Sequence, residues 1–418
     1  MRARLLRRFL WLAGFGCLWL HAFDDPPLRS EPFVQNVTSD AGSVVLITAE
    51  PARVEVSLCD AAGVEVGKLI GPPARRHHEL RFRGLRAATG YEYHVRVDGA
   101  DVGGGHLTTA PADDRTKVRF AFFGDSGEQP WWVWLQTAPI LHVPGRLGWF
   151  ADATAVTAIG RAVARDQPDF VLHLGDIVYP KGLNAHYRTG FFRPFADVMR
   201  DAPLYATLGN HDLMDANGVQ ALGNLRLPKG ELTGDSRCYS FAWGAVRVIA
   251  VDCNTESGEI APGHPAFDFL SHELAARSEP WLVVASHYPM RSGSRQGNRG
   301  DLLRLVPMLA EWGATLYVSG HDHCYQRFAK EGEVPLIVSG GGGKDLYDVH
   351  RIPNTVVCQS QHHWCAAEAA GSTFRVRAYG IDGGQIDQLE VHAPTGEALE
   401  RLRQKNPERA RRIAALGG

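Results

Sequence analysis

Five short motifs hold the polar residues whose types and spacing could do chemistry: Gly124-Asp125-Ser126-Gly127, Gly175-Asp176-Ile177-Val178-Tyr179, Gly209-Asn210-His211-Asp212, Ser286-His287, and Gly320-His321-Asp322-His323. As candidate ligands they supply two carboxylates, an amide oxygen, three or more imidazoles and a phenol. Such a mixed oxygen and nitrogen set suits iron, zinc or manganese and disfavours calcium or copper(I). Asp125, Asp176, Tyr179, Asn210, His287, His321 and His323 make seven candidate ligands, too many for a single ion. Two ions about 3.5 to 4 Å apart, sharing one carboxylate, fit that number better. A lone Gly-Asp or Gly-Asn-His is ordinarily just a turn, because these residues favour turns for local reasons. Five in series are not explained that way. No Gly-x-Ser-x-Gly stands at a strand tip, so serine-hydrolase chemistry has no visible nucleophile.

Each motif follows an apolar run that reads as a buried strand: Val118 to Phe123, Phe170 to Leu174, Leu204 to Leu208, Trp281 to Ser286 and Thr315 to Ser319. Ligands of open α/β sheets bind at the carboxyl ends of strands, and the glycines allow the tight turns that bring short side chains close to an ion. Ala245 to Val251 is a further strand, and Ala153 to Ala164, Ala266 to Ala276 and Leu302 to Glu311 read as helices, so the central part is an α/β layered architecture. Strands return at Pro335 to Ser339, Phe374 to Tyr379 and Gln385 to Val391, and a charged, helix-compatible tail runs from Gly396. Before all this, Glu31 to Pro111 alternates apolar and polar residues with Gly and Pro punctuation, an all-β pattern.

Composition bounds the rest. The 418 residues predict two or three domains, and 44 Lys plus Arg against 46 Asp plus Glu give a net charge of −2, which offers no broad footprint for nucleic acid. With 44% hydrophobic and 22% charged residues, disorder, collagen and a multi-span membrane protein are excluded. Arg2, Arg4, Arg7 and Arg8 precede an apolar run from Phe9 to Leu20, which reads as a secretory signal cleaved after Ala22, with an uncleaved anchor as the alternative. Removing Cys17 leaves six cysteines, and Cys358 with Cys365 or Cys238 with Cys253 are candidate disulfides of an exported chain. Trp131, Trp132, Trp134 and Trp149 are read as buried against a neighbouring domain, His77-His78 and His362-His363 as surface pairs, and Gly340 to Gly343 as a flexible loop near the site.

In this order, GDSG, GDIVY, GNHD, VASH and GHDH resemble the signature of the purple acid phosphatases, within the calcineurin-like metallophosphoesterases, over roughly Val118 to Leu346. The preceding segment resembles the fibronectin type III sandwich of the larger members, with Tyr91 placed like its corner tyrosine. The resemblance implies a fibronectin type III-like domain over 31–111, a four-layer α/β/β/α catalytic sandwich over 117–395 and a tail over 396–418. It also implies phosphate-ester hydrolysis by metal-hydroxide attack on phosphorus. Most metallophosphoesterases open with Asp-x-His, whereas Gly127 stands there in this chain and Tyr179 follows Asp176 by three residues. A phenol of pKa near 10 gives up its proton at mild pH only to a strong Lewis acid, so a ferric ion is expected beside Tyr179. Carried across, Asp125, Tyr179 and His323 would hold Fe(III), and Asn210, His287 and His321 a divalent iron, zinc or manganese, with Asp176 bridging. His211 resembles the outer-sphere histidine that contacts phosphate and donates a proton, and Asn210 would also face the substrate.

The chain departs from the family after VASH, where Tyr288 to Asp301 holds no further histidine but offers Arg291, Arg295 and Arg299 as substrate contacts. Arginine grips phosphate with its fork but is a poor proton donor, which brings phosphodiesters and polyphosphates into consideration. A solvated basic loop is the plainer reading. The resulting expectation is an exported acid phosphatase acting on small phosphorylated monoesters, with no nucleic-acid partner, no membrane span in the mature chain and an open oligomeric state. A phosphodiesterase or nucleotide hydrolase with the same centre, and an inactive binding or adhesion module, are the alternatives.

Overall fold

A computed structural model of the chain describes residues 28–127, 155–254, 259–329 and 333–417. The secretory-signal reading, Cys17 and the tryptophans at 131, 132, 134 and 149 lie outside the described residues. Among the described residues no helix is long and apolar enough to cross a membrane.

Seven strands form the first unit: β1 (Leu28–Gln35), β2 (Ala41–Ala52), β3 (Val54–Cys59), β4 (Glu65–Ile70), β5 (Arg75–Arg83), β6 (Gly90–Val97) and β7 (Ala100–Thr108). They pair as β1-β2-β5 and β4-β3-β6-β7. The period-2 pattern decides the faces: along β6, Tyr91, Tyr93, Val95 and Val97 are buried and the residues between them exposed. Those side chains meet Val44, Leu46, Val56, Leu58, Leu80 and Leu107 in the sandwich interior. The Tyr91 hydroxyl accepts the Arg86 N–H at 3.0 Å, the tyrosine corner of such sandwiches, so the unit is fibronectin type III-like in topology.

The next thirteen strands are β8 (Val118–Phe123), β9 (Phe170–His173), β10 (Leu204–Ala206), β11 (Tyr239–Trp243), β12 (Val246–Ala250), β13 (Trp281–Ala285), β14 (Leu316–Ser319), β15 (Tyr325–Phe328), β16 (Leu336–Ser339), β17 (Thr355–Gln359), β18 (His363–Ala370), β19 (Thr373–Gly380) and β20 (Gln385–His392). One sheet runs β10-β9-β8-β18-β19-β20 and the other β11-β12-β13-β14-β16-β15-β17. They face each other through aromatic rings: Phe170, itself stacked on its sheet neighbour Phe120 at 4.7 Å, meets Phe241 edge-on at 5.2 Å, and Trp281 lies 5.6 Å from Phe374.

The helices used below are α1 (Ala155–Asp166), α2 (Arg193–Met199), α3 (Val219–Leu225), α4 (Pro265–Ala276), α5 (Val306–Glu311), α6 (Gly396–Lys405) and α7 (Pro407–Ala415). Strand alternation in β13 sends Trp281, Val283 and Ala285 into the space between the sheets. Leu282 and Val284 point the other way, onto Phe269, Leu270 and Leu274 of α4 and Leu309 of α5. On the far side, Val156, Ile159 and Val163 of α1 and Phe195 of α2 cover the six-stranded sheet. The result is a four-layer α/β/β/α sandwich whose strands are buried on both faces, which is why they read as unbroken apolar runs.

Some expectations need correction. The helix expected over 302–311 is two pieces, Gly300–Leu303 and Val306–Glu311, because Pro307 has no N–H to continue one helix and suits the first turn of another. All six described cysteines are unpaired. Cys358 and Cys365 lie on β17 and β18, which belong to different sheets, and the β11-β12 register sets Tyr239 opposite Ala250, leaving Cys238 and Cys253 out of step. The histidine pairs are not wholly at the surface either. His78 is 2% exposed and His363 is fully buried, the latter bonded to Ser339 Oγ at 3.0 Å.

Two attachments tie the ends of the chain to the layers. The Gln35 side chain donates to the Leu204 carbonyl at 2.8 Å and accepts the Leu204 N–H at 3.2 Å, along the outer edge of β10. At the other end, Arg409 of α7 is 1% exposed and donates to the carbonyls of Glu279 (3.1 Å), Pro280 (3.1 Å), Gly313 (2.7 Å) and Trp312.

Candidate metal centre

Parallel pairing of β8 with β9 and β9 with β10, and of β12 through β14, aims the carboxyl ends of the motif strands at one edge of the sandwich. The loops that follow are held in unusual backbone. Asp125, Asp176 and His321 have φ of 60°, 53° and 69°, a region non-glycine residues seldom occupy and that concentrates at functional sites. The first two loops zip together, with Asp125 N–H donating to the Gly175 carbonyl (3.0 Å), Ser126 N–H to the Asp176 carbonyl (3.3 Å) and Tyr179 N–H to the Gly127 carbonyl (3.1 Å). A Cβ on Gly209 would sit 2.1 Å from Asp176 Oδ1, and one on Gly320 2.4 Å from Asp125 Oδ2, so both motifs need glycine for close approach.

This scaffold brings together all seven of the expected donors. Donor atoms of Asp125, Asp176 and His287 lie within 4.8 Å of one another. Tyr179 Oη is 2.9 Å from Asp176 Oδ2, 3.2 Å from Asp125 Oδ1 and 3.2 Å from His323 Nε2. On the other side, His287 Nε2 is 3.2 Å from Asn210 Oδ1, 3.1 Å from His321 Nδ1 and 3.6 Å from Asp176 Oδ1. Asp176 thus turns one oxygen to each group.

Electrostatics tests whether these residues suit cations. Burial, then the neighbouring Asp176, holds the Asp125 carboxyl well above the ordinary carboxylate range, and burial also raises Asp176. Burial pushes His287 and His321 down to about 3 and His323 to about 4, so these imidazoles are neutral with lone pairs available. Their orientation is set from behind. His287 Nδ1 must donate to the Leu174 carbonyl (2.8 Å) and His323 Nδ1 to the Asp345 carbonyl (2.6 Å), since a carbonyl only accepts, which leaves each Nε2 lone pair aimed inward. Lone pairs and carboxylates crowded this closely in a dry pocket repel one another unless a cation lies between them. The donor set therefore fits metal ions, and the buried cluster is a metal-binding site.

Several residues around it carried no sequence signal of their own. Asp212 is fully buried and accepts N–H groups from Ile177 and Gly209, both at 2.9 Å, joining the second motif loop to the third. Ser126 Oγ pairs with buried His173 Nε2 at 2.8 Å behind Asp125. Gly340 to Gly343 are all buried, and a Cβ on Gly342 would lie 2.4 Å from the Gly124 carbonyl. The stretch expected to be a flexible loop is a packed wall of the site, and the Lys344 N–H beyond it donates to the Asp125 carbonyl at 2.9 Å.

At the rim, His211 packs its ring 4.6 Å from that of Tyr179 and bonds through Nδ1 to the Pro180 carbonyl at 2.7 Å. The three arginines part company. Arg291 is paired with Glu333 at 3.0 Å. Arg299 is held by both oxygens of Asp301 while it lies 4.6 Å over the Tyr288 ring, which packs on His321. Arg295 stacks 3.8 Å over Tyr347, whose ring lies 3.9 Å from that of His323. Arg291 and Arg299 are thus engaged by carboxylates, whereas Arg295 lies against the site's aromatic wall through Tyr347, its Nη2 donating to the Tyr347 hydroxyl at 2.6 Å.

A model of the calcineurin-like phosphoesterase family matches residues 118–325, the span from β8 to the start of β15 that carries every motif. This chain is a calcineurin-like metallophosphoesterase related to the purple acid phosphatases. The metallophosphoesterase is 29% identical over 228 residues to purple acid phosphatase 17 of Arabidopsis thaliana, a match covering 48% of this chain and 66% of that one. It is 28% identical over 262 residues to tartrate-resistant acid phosphatase type 5 of Rattus norvegicus, covering 56% and 74%. Among solved structures, a purple acid phosphatase from yellow lupin (Lupinus luteus) seeds superposes on the metallophosphoesterase with a TM-score of 0.71 at 16% identity, covering 87% of this chain and 74% of that one. At that identity the likeness speaks for the fold.

Proposed function

We propose that this metallophosphoesterase is an exported dimetal phosphatase that hydrolyses phosphate monoesters. The observation carrying the reading is the convergence of seven oxygen and nitrogen donors on one buried point, with Asp176 turning an oxygen to each half of the set. The related proteins are acid phosphatases by name, which supports the same reading. Asp125, Tyr179 and His323 would hold a ferric ion, Asn210, His287 and His321 a divalent iron, zinc or manganese, and Asp176 would bridge. Burial and the two flanking carboxylates raise the Tyr179 phenol well above its ordinary range, so only a strong Lewis acid would take its proton. When bound, the two cations supply Lewis acidity, neutralising phosphoryl charge and lowering the pKa of water from 15.7 towards about 7.

The chain's own residues do the rest. His211 Nδ1 is spent on the Pro180 carbonyl, so Nε2 is the atom left to contact a phosphoryl oxygen, and in the imidazolium form it holds the proton that passes to the departing alkoxide, leaving the neutral ring. Asn210 and the apolar-backed imidazoles fix the ester's orientation, and the buried wall 340–343 keeps bulk water from that side. Arg295 gives the phosphodiesterase or nucleotide-hydrolase reading its one specific support, because a guanidinium at the rim can hold a second anionic group. An inactive binding module is disfavoured by the complete donor set.

Metal analysis with a visible spectrum of the purified protein tests the centre: two metals and a phenolate-to-iron band are expected, and a colourless zinc or manganese protein would remove the ferric assignment. Side-by-side rates on a monoester and a diester test the reaction, and a diester preference would overturn the monoester reading.

A further inference from the structure

Away from the metal centre, the start of β5 in the N-terminal sandwich and one face of α3 in the catalytic layers line a groove of about 430 Å³, within the size range of small-molecule sites, roughly 300 to 1,000 Å³. Arg75, Arg76 and His77 come from one wall, Gln220 and Arg226 from the other, with Asn184 also on its lining; among the described residues no carboxylate lines it. Arg76 makes an exposed pair with Glu50 outside the groove, at 2.7 Å with the partners 44% and 79% exposed, a contact of little strength. Arg226 is different: its backbone caps α3 in the left-handed region at φ 54°, and its Nε is buried with no hydrogen-bond partner among the described residues. The charged neighbours that act most on half-buried His77 are Arg226 and Arg29, both cations. Guanidinium groups gathered round one hollow repel each other and, being weakly hydrated forks, match phosphate oxygens in pairs.

We propose that this groove is a second anion site, distinct from the metal centre, that takes a small ligand carrying two or more phosphate-type groups and thereby couples the sandwich to the catalytic loops. The coupling has a visible route. Asn184 follows the loop that bears Tyr179, α3 follows the one that bears Asn210 and His211, and the two are tied by Asn224 Nδ2 donating to Asn184 Oδ1 at 2.8 Å. Gly182, between Tyr179 and Asn184, lies so close to the third motif that a Cβ there would be 3.0 Å from Asp212 Cα. An anion drawing β5 and α3 together therefore tightens the segments leaving both metal-binding loops.

The site stands whatever the enzyme hydrolyses, because its test reads binding. Methylenediphosphonate, which cannot be hydrolysed at its P–C–P link, is titrated calorimetrically into the metal-loaded protein. Two equivalents per chain are expected, one of them lost in an Arg75→Ala/Arg226→Gly double variant and retained in Asp176→Asn. Glycine keeps the left-handed cap at 226, so this variant is expected to melt like the parent, and Arg75→Glu, a change on an exposed residue, provides a second variant in which the groove equivalent weakens at least tenfold. The same two equivalents with the same affinities in both arginine variants would overturn the proposal, as would a single equivalent in the parent that Asp176→Asn abolishes.

Discussion

Asp212 accepts two backbone N–H groups from two different motif loops while fully buried. An amide in its place must turn its NH₂ towards one of those donors, leaving that N–H unsatisfied at a cost of roughly 1–3 kcal/mol. Asp212→Asn is therefore expected to lower the thermal midpoint and weaken metal retention, and an unchanged midpoint with full metal content would show the staple to be dispensable. Tyr179→Phe keeps the ring that packs on His211 but removes the oxygen shared by Asp125 and Asp176; under the proposed ferric assignment, the purified variant is expected to lose the visible band that the parent would show. Arg295→Ala is expected to raise KM for substrates with a second anionic group by roughly tenfold, the loss of one charge-assisted hydrogen bond, whereas Arg291→Ala, which removes a guanidinium already paired with Glu333, is expected to change KM far less. Equal effects of the two would contradict the distinct positions of the arginines. The seven donors were legible because each stands in a short polar turn behind an apolar run. Asp212 sits in the same turn but its partners are backbone groups, which leave no mark on sequence. The histidine pairs were misjudged for a reason the sequence does contain: in a strand one of two successive side chains must face inward, as His78 does in β5, and His363 is the inward-facing first residue of β18.

At the scale of elements, the motif strands were read almost to the residue because burial on both faces makes them continuous apolar runs. The short β15 and β17 were missed. They are four and five residues long; β17 lies at the sheet's far edge, where partial exposure breaks the pattern, whereas β15, one strand in, is buried but short. The run Gly340 to Gly343 was read as freedom of movement when it reflects lack of space. Gly342→Ala puts a methyl 2.4 Å from the Gly124 carbonyl, directly behind Asp125. Backbone must shift, so a loss of about 1–3 kcal/mol in denaturant unfolding is expected, together with lower metal affinity; wild-type stability would mean that the wall yields easily.

For the molecule as a whole, the charged tail is a clamp rather than an appendage. Arg412 pairs with Asp114 in the linker between the two units, at 2.8 Å from Nε, while Arg409 fills four carbonyls near the start of β13 and the end of α5. Composition announced only that the tail is charged and helical, since the carbonyls that receive Arg409 lie about a hundred positions or more away. Arg409→Met leaves those acceptors without their donor and is expected to cost about 3 kcal/mol or more, read as a lower urea midpoint. The contact between Gln35 and the main chain of Leu204 has another consequence. An amide side chain that both gives and takes a hydrogen bond imitates the next strand of the six-stranded sheet, so the N-terminal unit blunts an edge that would otherwise recruit a neighbouring molecule. Catalytic layers produced without their sandwich would bare that ladder, and self-association into insoluble β-rich material would follow before any question of turnover arose.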